Sequence, residues 1–363
     1  MANKKNIAFL LSLISDGGGI GRVTSLISNE LYKLEHYNIH IISYVKSETN
    51  FYLWNQNLTY HFLREDQIPM KKGILKASKV LRNVITKNKI DILVSCGQIV
   101  GPLGVCGTLF KNTKLIYWSH TSYKGASKKQ FRMFNEHFTA LFSNYLVSLT
   151  KADEINYKKE TFAKKVIQIY NPIDRRIENL PRNYDETTNK IISVGRLQFE
   201  KYFEIITKVM PIILKSYPEI EWHIYGSGGY KEKLENLINK NNLEGKVILK
   251  GQTNKLYELY PNYSIMVMTS RYEGFPMSLL EGLAFNLPLV SFDVLTGPNE
   301  IIREEINGYL IQPFDVEEMA NKIISLLKNP EKMREFSNNS RQYIQEYSTS
   351  SVLKKWQYLL DNI

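Results

Sequence analysis

The sequence predicts an α/β protein of two domains, each a parallel β-sheet wrapped by helices. Three observations carry this. The chain has 363 residues, more than one ordinary hydrophobic core organises. In both halves short apolar runs alternate with amphipathic segments of ten or more residues, the rhythm of strand–helix–strand units. A polar stretch near Pro172 and Pro181 shows no apolar period and separates the halves.

The first apolar run, residues 6–13, predicts a buried strand. Lys4 and Lys5 before it imitate a secretory leader, but a glycine turn follows instead of a small-x-small cleavage site, so the run is read as structure. Further strands are expected at 39–45, 58–63, 90–95, 114–118, 144–148 and 166–169. Helices are expected near 21–35, 73–88, 99–110, 128–141 and 152–160. The second half repeats the pattern, with strands near 190–194, 220–225, 246–250, 264–268 and 288–291. Its helices fall near 202–216, 230–241, 277–285 and 316–328, and beyond 330 the pattern is purely helical, near 330–345 and 350–361. The expected division is an N-terminal domain at 1–172, a linker at 173–188, a C-terminal domain at 189–345 and a closing helix within 346–363. In sheets of this kind ligands sit at the carboxyl ends of the strands.

Composition narrows the class. Apolar residues make up 43% and charged residues 23%, ordinary values for a globular protein. No run approaches the twenty apolar residues of a spanning helix. Cys96 and Cys106 are the two cysteines; they form no metal-ligand spacing, and so few thiols fit a reducing cytoplasm. The net charge of +11 is uneven: residues 1–175 hold 25 Lys and Arg against 12 Asp and Glu, and residues 176–363 hold 22 against 24. A basic first half suits a nucleic acid, an anionic membrane face or a phosphorylated substrate, or serves solubility. No recognisable nucleic-acid-binding motif accompanies the charge, and no nucleic-acid partner is expected.

Five segments carry chemistry. Asp16-Gly17-Gly18-Gly19-Ile20-Gly21 lies between the first strand and a helix. Glycines admit a phosphate to the backbone, and the helix start offers free N–H groups, although a tight turn alone gives the same pattern. Gly195-Arg196-Leu197-Gln198-Phe199-Glu200-Lys201 follows the first strand of the second half. Two cations five residues apart suit a diphosphate, each charge-assisted hydrogen bond contributing roughly 1.5–3 kcal/mol; a solvated pair is the alternative. Ser270-Arg271-Tyr272-Glu273-Gly274-Phe275-Pro276-Met277-Ser278-Leu279-Leu280-Glu281 follows a strand. Pro276 suits a helix start, leaving free N–H groups at 277–279. Two carboxylates raise glycosidase chemistry, but the phosphate-binding neighbourhood favours binding roles, one on sugar hydroxyls and one on a ribose diol. His120, in Trp118-Ser119-His120-Thr121, closes a strand of the first half; at that place a site role outweighs a structural one. Gly226 and Gly251 mark two turns where a nucleobase could lie against backbone.

In order, these residues resemble the retaining glycosyltransferases of family 4, which have the GT-B fold. The resemblance spans nearly the whole chain and is most specific at EGFPMSLLEG, with support from GRLQFEK, Gly297-Pro298-Asn299-Glu300, Asn307-Gly308-Tyr309-Leu310, Ser148–Asp153 and Tyr170-Asn171-Pro172. It implies two Rossmann-like domains facing across a cleft that holds the active site, with the last helix crossing back onto the N-terminal, acceptor-binding domain. It implies that Gly18 and Gly19 approach the donor diphosphate and that His120 contacts the transferred sugar. Arg196 and Lys201 would neutralise the leaving diphosphate, Glu273 would hold the sugar and Glu281 the ribose. Gly274, Phe275, Met277, Ser278 and Leu279 would line the donor. Two departures stand out: Tyr202 replaces a common glycine after Lys201, and Asp16 adds a negative charge beside the glycine loop.

The implied reaction moves a hexose-type sugar from a nucleotide diphosphate donor, UDP preferred, to a lipid-linked or glycan acceptor in surface-polysaccharide synthesis. No Asp-x-Asp pair suited to a divalent metal accompanies these motifs, so neither metal nor cofactor is expected. The basic segments Lys71–Lys89 and Lys124–Arg132 suggest peripheral docking on the anionic inner face of the cytoplasmic membrane. Two alternatives remain: a nucleotide-sugar epimerase of the same fold, and a non-catalytic partner subunit of another transferase.

Overall fold

In a computed structural model of the chain, residues 4–14, 18–46, 52–126, 130–178, 180 and 184–363 are described. The chain divides into two units, Met1–Pro172 with Thr349–Ile363, and Ile173–Ser348.

The first unit is built on seven parallel strands: β1 (Lys5–Leu13), β2 (Tyr37–Val45), β3 (Thr59–Phe62), β4 (Ile92–Cys96), β5 (Lys114–Trp118), β6 (Tyr145–Ser148) and β7 (Val166–Gln168). Their order is 3-2-1-4-5-6-7. Phe9 on β1 pairs with Ile41 on one side and Val94 on the other. β1 and β4 lie inside the sheet with both faces covered, so they read as continuous apolar runs instead of alternating ones. The helix Thr349–Asp361 belongs to this unit although it ends the sequence. Lys5 Nζ donates to the carbonyls of Leu360 (2.8 Å) and Asp361 (3.0 Å), a cation at the helix C-terminus where the macrodipole favours it.

The second unit holds β8 (Lys190–Val194), β9 (Glu221–Tyr225), β10 (Val247–Gly251), β11 (Ile265–Met268), β12 (Leu289–Phe292) and β13 (Gly308–Ile311). All are parallel, in the order 10-9-8-11-12-13. Its core gathers Trp222, Ile224, Val267, Val290, Phe292 and Ile323, all nearly inaccessible.

Two differences from the sequence reading have local causes. The helix expected at 202–216 is regular only over Ile206–Leu214, because Tyr202 is left-handed (φ 50°, ψ 38°) and breaks the run into short 3₁₀ turns. β13 was not anticipated. It has four residues and starts on Gly308, where a Cβ would lie 2.1 Å from the Leu289 carbonyl oxygen, so close strand packing demands a residue that strand propensity disfavours.

Candidate active site

In the second unit the strand order reverses between β8 and β11. Crossovers leave these neighbours in opposite directions, which opens a crevice at their carboxyl ends. The two loops that enter it are those the sequence marks with charge, 195–201 after β8 and 269–276 after β11. They are joined at three points. Arg271 N–H donates to the Glu200 carbonyl at 2.8 Å. Thr269 Oγ1 donates to the Lys201 carbonyl at 2.8 Å. Lys201 Nζ meets Glu273 Oε1 at 2.6 Å.

Glu273 is held from several sides. Ser270 Oγ donates to the same Oε1 at 2.6 Å, and Thr296 Oγ1 donates to the Glu273 carbonyl at 2.6 Å. No described residue donates to Oε2, so one carboxylate oxygen keeps its acceptor capacity. The side chains of Lys201 and Glu273 are 19% and 13% exposed, enough for a ligand to reach yet shielded from bulk water, where charge pairs act more strongly. The Lys201 side chain folds over Gly195, where a Cβ would lie 3.0–3.2 Å from its methylenes and push it aside by a few tenths of an ångström.

The helix Met277–Ala284 starts beside this pair, with Pro276 as its cap. The first amides of a helix have no intrahelical acceptor, so the N–H groups of the half-buried Met277 and Ser278 are left without one, an arrangement that suits an anion. Leu279 is inaccessible as a whole residue, so the structure does not bear out its place in lining the donor: its side chain packs in the core and its N–H is covered as well. Phe275 is buried, its ring 5.8 Å from that of Tyr347. Glu281, one turn further on, is 2% exposed and accepts from the Tyr260 hydroxyl at 2.6 Å. Arg196 is exposed on its loop. Gly274 lies between Glu273 and Phe275, and the left-handed Gly297 (φ 100°) approaches its carbonyl. Gly226 has a packing reason of its own: a Cβ there would sit 1.8 Å from the Gly195 carbonyl oxygen. Gly251 (φ 71°) makes a turn whose carbonyl accepts from Gly226 N–H at 2.9 Å.

In the first unit, Asp16 and Gly17 lie outside the described residues. Gly18 caps the helix Gly19–Lys33 with an extended backbone, and its carbonyl accepts from the Tyr52 hydroxyl at 3.1 Å. A Cβ at Gly19 would meet nothing within 4 Å. His120 packs against Trp118 with ring centroids 4.3 Å apart and the planes tilted at 47°, and its Nε2 is buried without a partner among the described residues. Burial pushes its pKa down to about 3, so the imidazole is neutral at physiological pH.

Sequence reading missed a buried network that holds the residues on either side of this histidine. Glu136 is 1% exposed and accepts from the hydroxyls of Tyr117 (2.6 Å) and Tyr157 (2.7 Å) on Oε2, and from Thr121 Oγ1 (3.4 Å) on Oε1. Ser119 Oγ lies 2.8 Å from the Tyr157 hydroxyl. The network thus ties residues 119 and 121, on either side of His120, to the helix Gln130–Phe142. Burial raises the Glu136 pKa to about 7, with the three hydroxyl hydrogen bonds opposing the shift. A lone Glu on an apolar helical face was the available signal. The segment Ser148–Asp153 also has a local role: Thr150 caps the helix Lys151–Glu160 by accepting from Asp153 N–H at 3.1 Å, and Asp153 Oδ1 accepts from Tyr123 N–H at 3.1 Å.

The basic segment 71–89 is only partly as its pattern suggested. Ala77, Leu81 and Ile85 pack into the core, whereas Leu75 is 79% exposed. Arg82 is half-buried and engaged within the protein, donating to the carbonyls of Cys106 (3.2 Å) and Leu109 (2.8 Å). Lys71, Lys72, Lys76, Lys79, Lys87 and Lys89 are exposed. Lys128 and Lys129 of the second cluster lie outside the described residues. Among the described residues no helix is long and apolar enough to cross a membrane, and no group of three or more His, Cys, Asp or Glu could hold a metal ion.

Residues 174–343 match the family model of the group 1 glycosyl transferases. A Haemophilus influenzae protein named as an uncharacterized glycosyltransferase is 26% identical over 356 residues, covering 98% of this chain and all of that one. The poly(ribitol-phosphate) alpha-N-acetylglucosaminyltransferase of Staphylococcus aureus is 31% identical over 240 residues, 66% of this chain and 48% of that protein, so the match spans about half its length. Among solved structures, a point mutant of S. aureus TarM in complex with fondaparinux, alpha-GlcNAc-glycerol and UDP superposes with a TM-score of 0.82 over 98% of this chain and 99% of that one, at 18% identity. The chain is a glycosyltransferase of the GT-B fold, and its second unit belongs to the group 1 glycosyl transferases.

Proposed function

We propose that this glycosyltransferase draws its sugar from a nucleotide diphosphate donor, UDP-linked in the first instance. It transfers that sugar with retention of configuration to a glycan or lipid-linked acceptor of surface-polysaccharide synthesis. The observation that carries the reading is the Lys201–Glu273 pair at 2.6 Å, set at the strand-order reversal beside the amides of Met277 and Ser278. The hard step is departure of a nucleoside diphosphate from the anomeric carbon, with negative charge growing on the phosphate. Fixed cations and helix amides aimed at that charge lower the barrier. Lys201, Arg196 and the helix start serve the phosphates. Glu273 presents Oε2 to a sugar hydroxyl, and Glu281 takes the ribose. His120, in the first unit, is a neutral imidazole with one ring nitrogen, Nε2, that has no partner among the described residues. Protein cations take the part a divalent metal plays elsewhere. The UDP in the TarM complex and the N-acetylglucosaminyl transfer named for the staphylococcal relative favour this donor class. An epimerase or a partner subunit finds no comparable support.

Thermal unfolding with a panel of UDP-, GDP- and ADP-sugars tests the donor. At 100 times its Kd a true donor stabilises its unit by about 2.7 kcal/mol. A flat response across the whole panel at millimolar concentration, together with no nucleotide release, overturns the reading.

A second surface supports docking on an anionic membrane at the cytoplasmic side. Lys72, Lys76 and Lys79 are exposed beside Leu75 on the helix Met70–Lys87, with no acidic residue from 71 to 90. Each such lysine contributes about 1 kcal/mol near an anionic bilayer. The Lys72→Gln/Lys76→Gln/Lys79→Gln variant is therefore expected to bind anionic vesicles about a hundredfold more weakly by co-sedimentation at low salt. Equal binding of the parent chain to neutral and anionic vesicles counts against docking.

A further inference from the structure

Tyr202 stands where glycine would be comfortable. Its backbone is left-handed, and so is that of Phe314 (φ 70°), a region bulky L-residues enter only at a cost. The two strained aromatics share a target. The Arg271 guanidinium carbon lies 3.4 Å from the centroid of the Tyr202 ring, 4.5 Å from Phe199 and 5.8 Å from Phe314. Tyr202 and Phe314 themselves meet edge to face, with centroids 5.6 Å apart, and Phe314 leans on the buried Phe292 of β12 at the same distance. Arg271 Nε is buried without a hydrogen-bond partner among the described residues. What surrounds its charge is a cage of ring faces, an arrangement that suits the planar guanidinium.

The cage sits between the two loops of the candidate site. Tyr202 follows Lys201 directly, and Arg271 stands two residues before Glu273. The backbone bond from Arg271 N–H to the Glu200 carbonyl and the bond from the Thr269 hydroxyl to the Lys201 carbonyl flank the stack. We infer that Arg271 and Tyr202 are a positioning pair: the ring–guanidinium stack fixes the spacing of the two loops, and thereby the approach of Lys201 to Glu273. The inference rests on the reading of those two residues as donor-handling groups. Retaining a tyrosine in a conformation that glycine adopts freely makes sense if the ring is what the site uses.

The test is donor-dependent release of nucleoside diphosphate by the full chain carrying Tyr202→Gly, Tyr202→Phe, Arg271→Gln or Tyr202→Gly with Arg271→Gln. Tyr202→Gly is expected to lower kcat/KM about tenfold, the loss of one shielded cation–π contact. Its thermal midpoint should stay near that of the parent, because glycine relieves the backbone as the ring is lost. Tyr202→Phe, which keeps the ring face, should stay within about twofold of the parent rate. Arg271→Gln should match Tyr202→Gly, and the double variant should be no worse than either single one, as for one shared interaction. An unchanged kcat/KM in Tyr202→Gly, an equal loss in Tyr202→Phe, or losses that multiply would each overturn the role. If the parent chain itself handles no nucleotide sugar, it is the donor reading that fails, and this role falls with it.

Discussion

Replacing Lys201 by methionine is expected to lower turnover of the donor about a thousandfold, and Glu273→Gln about a hundredfold, the range found for removing one preorganised group that stabilises transition-state charge. The lysine variant should be the worse of the two for an electrostatic reason. In the parent chain Lys201 Nζ and Glu273 Oε1 lie 2.6 Å apart, and both side chains are largely shielded. Removing the cation alone strands a carboxylate where a leaving diphosphate gathers charge, so a stabilising contact becomes a repulsive one. The double variant, Lys201→Met with Glu273→Gln, removes that repulsion and should lose no more than Lys201→Met alone. Single-turnover release of nucleoside diphosphate, read with the urea transition of the second unit to confirm folding, decides the matter. A Lys201→Met chain within threefold of the parent, or a double variant whose loss is the product of the two single losses, would contradict a shared role for the pair.

What could be read from the residues beforehand follows from how local each signal is. The alternation of apolar runs with amphipathic segments is local, and it marks twelve of the thirteen strands. β13 escaped because four residues headed by glycine carry neither length nor propensity. The residue types of the donor loops also stand out, as glycine, arginine and lysine after one strand and two glutamates after another. Their meeting does not, since Lys201 and Glu273 are 72 positions apart and only the order of β8 and β11 brings their loops together. The same holds for Glu136, whose hydroxyl partners come from β5, from the loop after it and from the helix Lys151–Glu160. Tyr202 was legible only as a missing glycine. Its use as a ring facing Arg271 depends on a backbone angle that sequence does not display. Helical periodicity placed the last helix near 350–361, but not the particular indole contacts it makes.

Those contacts set up the other large effect. Trp356→Ala is expected to destabilise the first unit by about 4 kcal/mol, the usual cost of truncating a fully buried large aromatic. Trp356 is inaccessible to solvent. Its ring lies 4.7 Å from Trp118 at 68° and 6.5 Å from Phe9 at 62°, edge-to-face geometries that add to the area term. The helix that carries it is secured at its far end by Lys5 and by the Tyr37 hydroxyl, which donates to Asp361 Oδ1 at 2.6 Å. It therefore has little freedom to collapse into the space an alanine leaves. Urea unfolding should resolve the effect, because the two units need not melt as one. With a slope of about 2–3 kcal/mol per molar, the first-unit midpoint falls by about 1.5 M, while the second-unit transition stays in place. The change also reaches His120, whose ring rests on Trp118 at 4.3 Å. Below the shifted transition, where the chain is still folded, Trp356→Ala should lose activity, and Trp356→Phe, which keeps an aromatic edge against Trp118, should recover much of both losses. Coincident urea curves for Trp356→Ala and the parent would mean that the last helix does not hold this unit together.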